Sequence, residues 1–160
     1  MRYFLKCSKC NNVSLEEVYP KKDPVCPNCG SVTIIFLKAL SIKQPFAYLI
    51  LNEFKTLENR NNLKNFKGTF LIHASKQWDD TWTDKCGSGV SVSVIKYGIN
   101  KIKDTMRFGG IIGYAEITGF TENPETQWFT GKYGLKIKNP NPLPFTPCPG
   151  QLSFFIPKIL

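Results

Sequence analysis

The fold of the N-terminal part depends on two segments, Cys7-Ser8-Lys9-Cys10 and Cys26-Pro27-Asn28-Cys29-Gly30. Each segment is a C-x₂-C pair, and fifteen residues separate the two pairs. At this spacing, two turns can present four thiolates to one tetrahedral Zn²⁺ ion. Four sulfur ligands leave no coordination position for water, so we expect one structural zinc ion rather than a catalytic one.

The segment around these cysteines is too short and polar to build its own core, so metal binding is expected to provide its folding free energy. A pair of redox C-x₂-C motifs is the competing interpretation, but such motifs accompany a βαβ pattern that this sequence lacks. We therefore predict a zinc ribbon at residues 1–33 and a second domain at residues 34–160. Cys86 and Cys148 have no partner at metal-ligand spacing and are expected to be free thiols.

The composition is typical of a soluble globular protein. The chain has 160 residues, of which 42% are apolar and 21% are charged, and a chain of this length can bury an ordinary core. Apolar runs fall well short of the roughly 20 residues that cross a membrane, and the first residues do not resemble a signal peptide. We expect a cytoplasmic protein with no membrane partner.

The charge balance favours an anionic partner. The chain carries 21 Lys and Arg against 12 Asp and Glu, a formal net charge of +9. Such an excess favours nucleic acid as the partner. General solubility is an equally good explanation of the charge taken alone.

Residues 34–160 combine several short strands with few helices. The pattern predicts a helix at 44–51, with Pro45 near its first position, and a weaker helix at 92–103. Strands are predicted at 56–60, 69–74, 111–118, 133–138 and 152–156. The proline-rich segment 140–149 is expected to be a loop, because proline cannot donate to a central ladder. These elements predict an α+β fold, a small and partly closed β-barrel with covering helices.

Three stretches of this domain carry a family resemblance: Leu40-Ser41-Ile42-Lys43-Gln44-Pro45-Phe46-Ala47, Lys55-Thr56-Leu57-Glu58-Asn59-Arg60 and Gly109-Gly110-Ile111-Ile112-Gly113. Together they resemble the ASCH domain (activating signal cointegrator homology domain), a PUA-like β-barrel, from about Leu37 to Pro157. A zinc knuckle before such a domain is similar to the layout of the coactivator itself. The resemblance implies a PUA-like barrel and an association with RNA or DNA.

The resemblance also implies a cleft where the first helix gives way to the strand that carries Lys55, Glu58 and Arg60. We predict a nucleic-acid-binding protein whose basic cleft takes a single-stranded or modified-base segment of RNA or DNA. The predicted contacts are Lys43, Gln44, Lys55, Glu58, Arg60, His73, Ser75 and Lys76. An exposed cross-strand pair of Glu58 with Arg60, and a packing role for His73, are the simpler alternatives.

Two further functions remain open. Some ASCH members act as amidohydrolases on N-acetylated cytidine or as ribonucleases, and in such an enzyme Lys55 and Glu58 would be catalytic. The amidohydrolase pattern has a threonine where this chain has Glu58. Alternatively, the zinc ribbon docks another protein and the barrel supports it. Many members also have glycine at the position of Glu53, so we expect the helix to end at Asn52.

Overall fold

The structure is a computed structural model that describes residues 1–20, 22–32, 34–62, 65–85, 90–122 and 128–159. Cys86 lies outside these residues, so its predicted state is not addressed by the structure. The N-terminal strands are β1 (Arg2–Cys7), β2 (Val13–Glu17) and β3 (Ile34–Phe36). The remaining strands are β4 (Ala39–Gln44), β5 (Leu57–Arg60), β6 (Gly68–Trp78), β7 (Gly110–Thr121), β8 (Tyr133–Pro147) and β9 (Phe154–Phe155). The helices are α1 (Phe46–Leu51), α2 (Trp82–Lys85) and α3 (Val90–Ile102), followed by a 3₁₀ turn at Lys103–Thr105.

Two sheets organise these elements. The N-terminal sheet has the order β2-β1-β3 and is antiparallel. The main sheet has the order β5-β8-β7-β6-β4-β9, in which only the β4–β6 pair is parallel. Among the described residues, no helix combines the length and the apolar character that a membrane span requires.

The predicted barrel is not closed. The outer strands β5 and β9 have no ladder between them, and they contain only four and two residues. Strands this short offer few backbone groups for hydrogen bonds between β5 and β9, so the main sheet stays open there. The domain is thus mostly β with a few helices, and the predicted partly closed barrel is wrong, because the main sheet is not closed into a barrel.

The main sheet is covered on both faces. Successive strand residues point to opposite sides, so Leu40 and Ile72 join a core with helices α1 and α3, whereas Ala39 and Leu71 join a second core with Phe4 of β1. The N-terminal sheet therefore packs on the main sheet. Because β3 begins at residue 34 and pairs with β1, this small sheet extends across the predicted boundary between residues 33 and 34.

The proline-rich segment is a strand rather than the predicted loop. Strand β8 continues to Pro147, and Pro142 lies opposite Gly113 of β7. Because Pro140, Pro142 and Pro144 are two residues apart, the N–H groups that they lack would all face one edge. Pairing with β5 involves only residues 133–136, so that edge has no partner strand among the described residues, and proline is tolerated there.

The helices agree with the sequence pattern in position. Helix α1 begins at Phe46 directly after Pro45, and the weak helical pattern at 92–103 corresponds to α3. Trp78 ends β6 and Trp82 begins α2, so the two tryptophans lie on different elements. Both nevertheless pack in the main core.

Because β7 lies close to β8 at Gly113, we predict that any side chain at this position destabilises the fold. A Cβ atom there would lie 2.5 Å from the Asn141 carbonyl oxygen and 2.5 Å from Leu51 Cδ1. We expect Gly113→Ala to lower the free energy of unfolding by about 1–3 kcal/mol, the range for overpacking, as measured by urea denaturation. The matched control is Gly119→Ala on the same strand, where a Cβ meets nothing within 4 Å. Equal stability of the two variants would contradict this packing.

Candidate ligand-binding cleft and metal centre

A cavity of about 330 Å³ lies where α1 leads into β5, beside β4 and β6. It is of the size that small ligands occupy in proteins. Among the described residues, three cations and two carboxylates line it, which together carry one net positive charge. The lining residues are Ser41, Ile42, Lys43, Phe46, Lys55, Glu58, Asn59, Arg60, Ser75, Gln77, Asp79, Thr130 and Leu152.

Lys55 reaches the cavity because the chain reverses after α1. Asn52 caps the helix, but Glu53 adopts the left-handed conformation, with φ 62°, that an end at Asn52 was expected to avoid. The Lys55 N–H then donates to the Leu49 carbonyl at 3.1 Å. The side chain is only 2% exposed, and its ammonium group donates to the Leu57 carbonyl and lies 3.2 Å from Glu58 Oε2.

Glu58 is held between two cations. Its Oε2 faces Lys55, and its Oε1 lies 3.1 Å from Arg60 Nη2. Residues 58 and 60 share a side of β5 because strand side chains alternate. Glu58 is only 8% exposed, and a carboxylate this buried is stable only when it is paired and hydrogen-bonded. The exposed cross-strand pair considered from the sequence is therefore wrong for these two residues.

Arg60 spans the open side of the main sheet. Its Nη2 donates to the Ser41 carbonyl on β4 at 2.9 Å, although three strands separate β5 from β4 in the sheet order. The Arg60 Nε is buried and has no hydrogen-bond partner among the described residues. Buried donors are nearly always satisfied in proteins, so this N–H is an exception among the described residues.

The rim of the cavity combines one cation with several neutral polar groups. Lys43 is half-exposed, and its Nζ lies 3.9 Å from Asp79 Oδ2, a separation at which an exposed ion pair contributes little. Asn59 donates to the Trp128 carbonyl at 2.7 Å and accepts from the Thr130 N–H at 3.0 Å. Asn59 therefore fixes the segment that carries Thr130 at the rim.

The structure brings together five of the eight predicted contact residues. The cavity is lined by Lys43, Lys55, Glu58, Arg60 and Ser75. The other described lining residues were not among the predicted contacts: Ser41, Ile42, Phe46, Asn59, Gln77, Asp79, Thr130 and Leu152. For Gln77 a signal was present, since it follows Ser75 by two residues on the same strand. Asp79 and Thr130 lie on segments whose approach depends on the tertiary fold.

Gln44 and Lys76 lie outside the cavity lining. Gln44 is buried, its Oε1 accepts the Tyr48 N–H at 3.0 Å, and its Nε2 donates to the Arg107 carbonyl at 3.0 Å. Both ends of its amide thus make hydrogen bonds inside the protein. These bonds connect the first turn of α1 to the backbone at Arg107. Lys76 alternates with Ser75 on β6, and its side chain lies over Gly109.

His73 is also buried away from the cavity lining. Its Nε2 lies 3.1 Å from the Cys148 carbonyl, and its Nδ1 lies 3.2 Å from Ser41 Oγ. A carbonyl can only accept, so Nε2 carries the hydrogen and Nδ1 accepts from the Ser41 hydroxyl. Burial lowers the pKa of His73 below its ordinary value of 6.5, although its hydrogen bond to the Cys148 carbonyl opposes the shift. His73 therefore has the packing role that the sequence left as the alternative.

The four N-terminal cysteines converge as the C-x₂-C spacing predicts. Their sulfur atoms all lie within 4.8 Å of one another, with Cys7 Sγ 3.7 Å from Cys29 Sγ and Cys10 Sγ 3.6 Å from Cys26 Sγ. Cys7 ends β1, and the second pair lies in a turn in which Gly30 has φ 71°. This cluster can bind one metal ion.

The pKa values of the cluster shift in both directions. A hydrogen bond from Ser31 acts to lower the pKa of Cys29, but burial and the neighbouring thiols outweigh it and raise this pKa to about 12, whereas two other sulfurs are shifted toward the thiolate form. The Asn28 side-chain amide and the Asn12 N–H donate to the sulfur of Cys10 and lower its pKa to about 6. The pKa of Cys7 is also lowered, chiefly by the N–H of Cys10. Such donors orient a sulfur ligand and stabilise its negative charge, as partners of metal-bound thiolates do.

Comparison with known proteins does not identify a relative. No protein-family model matches the chain, and no curated protein is significantly similar to it. The resemblance to the ASCH domain therefore stays a prediction from the sequence motifs.

Because the imidazole of His73 is buried, we predict that its pKa in the folded protein lies below the ordinary value. Since His73 is the single histidine of the chain, its ring C–H resonances can be followed by NMR without ambiguity. We expect the folded protein to titrate clearly below 6.5, whereas the chain unfolded in urea titrates near 6.5. The unfolded state then binds the proton first as the pH falls, so this group lowers stability on acidification below about 6.5. A folded-state midpoint at or above 6.5 would refute the buried neutral imidazole.

Proposed function

We propose that the protein binds single-stranded RNA or DNA, with an unpaired base entering the cleft beside Lys55, Glu58 and Arg60. The observation that carries this proposal is the 330 Å³ cavity itself, whose described lining combines three cations and two carboxylates with neutral polar groups. A lining rich in donors suits acceptor atoms on the edge of a base. A base inside a duplex cannot enter a cavity of this kind, so the proposal specifies unpaired nucleotides.

The charges around the cleft support an anionic ligand. The chain has a formal net charge of +9, and Lys43 at the rim is half-exposed with only a distant carboxylate partner. A cation at the rim can meet the phosphate that precedes or follows the bound base. Binding of this type weakens as salt increases, because phosphate neutralisation releases counterions.

Binding suits the geometry better than hydrolysis. A lysine that acts as a nucleophile or base needs a free lone pair. The Lys55 ammonium group instead donates to the Leu57 carbonyl and to Glu58, which is the arrangement of a charge that fixes a carboxylate. We therefore assign Lys55 and Glu58 to the architecture of the binding cleft rather than to catalysis.

We infer that the metal held by Cys7, Cys10, Cys26 and Cys29 is Zn²⁺ with a structural role. A tetrahedral site with Zn–S bonds of about 2.3 Å has sulfur atoms about 3.8 Å apart. Two of the separations, 3.6 Å between Cys10 and Cys26 and 3.7 Å between Cys7 and Cys29, are close to that value. Four thiolates complete the coordination sphere, and the ion would hold the turns next to β1.

Removal of one phosphate contact gives a test of the proposed function. We expect a mixed-sequence single strand to bind in fluorescence anisotropy at low salt. Lys43→Gln should weaken this binding about 3- to 10-fold and reduce the slope of log Kd against log salt by about 0.7, the effect of one lost contact to a single strand. The control is Lys158→Gln, which removes one exposed charge that does not line the cavity. Absence of binding to RNA and DNA of any strandedness would refute the proposal, and so would equal losses in the two variants.

The metal assignment predicts about one zinc ion per chain in elemental analysis. Chelation should lower the free energy of unfolding by about 4 kcal/mol, the effect of losing an ion present at about 1,000 times its Kd. Cys26→Ser should lose the ion, whereas Cys148→Ser, which changes a cysteine outside the cluster, should retain it. Iron in place of zinc would contradict the identity of the metal, and full metal content in Cys26→Ser would contradict the ligand set.

A further inference from the structure

A second cavity occupies the gap where the main sheet fails to close. Its volume is about 340 Å³, and it lies between the end of β5 and the start of β9. Arg60, Asn61 and Asn62 line it from one side, and Leu152, Ser153 and Phe154 line it from the other. The two short outer strands thus leave a concave space instead of a ladder.

The two cavities are neighbours that share two side chains. Arg60 and Leu152 line both of them. The Arg60 guanidinium is fixed by Glu58 and by the Ser41 carbonyl, at 3.1 and 2.9 Å, so it forms a stable wall between the two spaces. Leu152 is 96% exposed and precedes Ser153, whose φ of 63° marks a sharp turn of the chain.

The second cavity has the chemistry of a base-binding space. Leu40, Leu135 and Phe154 supply apolar surface, whereas Asn61 and Asn62 supply amides that both donate and accept. Among the described residues of its lining, Arg60 is the only charged one. A nucleobase has apolar faces and a polar edge that asparagine can read, and a guanidinium plane or an apolar side chain can pack against a base face. A phosphate would meet one cation among the described lining residues.

We propose that the gap between β5 and β9 binds a second base, so that the protein holds two consecutive nucleotides with Arg60 and Leu152 between their bases. This inference rests on the proposed function, because it assumes that the first cavity holds an unpaired base. It adds a distinct subsite and assigns Asn61 and Asn62 to it.

The test uses strands of about ten nucleotides, a length within the footprints of single-strand binders, that are abasic except at one position or at two adjacent positions. Each of the four bases is tried, on ribose and deoxyribose backbones, by fluorescence anisotropy. We expect two adjacent bases to bind about 10-fold more tightly than one, which is within the range measured for one stacked base. The double variant Asn61→Ala/Asn62→Ala should lose this gain and keep the affinity for one base.

The control variant is Asn100→Ala, which removes an exposed amide from α3 and should keep the 10-fold gain. Equal affinity for one-base and two-base strands would overturn the second subsite while leaving the proposed function intact. Retention of the gain in the double variant would also overturn it. If neither strand binds and mixed-sequence strands also fail to bind, the proposed function fails and the second subsite fails with it.

Discussion

The cleft depends on one buried carboxylate that is held by two cations. Glu58 accepts from Lys55 on one oxygen and from Arg60 on the other, and a buried charge of this kind is destabilising when either partner is removed. The network therefore fixes both cations. Because Arg60 also donates to the Ser41 carbonyl, the network fixes the distance between β5 and β4 across the open side of the sheet. That distance sets the width of the cavity beside these three side chains.

A continuous series of contacts links this cavity to the N-terminal sheet. Ser41 accepts from Arg60 through its carbonyl and bonds His73 through its hydroxyl, and His73 in turn bonds the Cys148 carbonyl. Cys148 belongs to the core into which Phe4 of β1 is packed, and β1 ends at the first metal ligand. The N-terminal sheet thus packs against the same core as β4, the strand whose Ser41 carbonyl binds Arg60. This packing gives a physical reason for joining the two parts in one chain.

The features predicted correctly from the sequence are local. The C-x₂-C spacing places four sulfurs together without knowledge of the fold, and alternation along β5 places Glu58 and Arg60 on one side. The sequence pattern did not reveal that Gln44 is buried, because its partner Arg107 lies sixty-three residues further along the chain. Barrel closure depends on the lengths of β5 and β9 and on their approach, neither of which periodicity determines. The strand character of the proline-rich segment depends on a free sheet edge, which is a property of the assembled sheet.

The most direct test of the account is to map a bound single strand on the isotopically labelled protein by NMR. The account predicts that amide resonances of β5, of Ser41 and of Leu152 shift on saturation, whereas those of β2 and Lys158 stay in place. Shifts confined to the N-terminal sheet or to α3, with Glu58 and Arg60 unchanged, would show that the cavity beside Lys55, Glu58 and Arg60 is not the binding site.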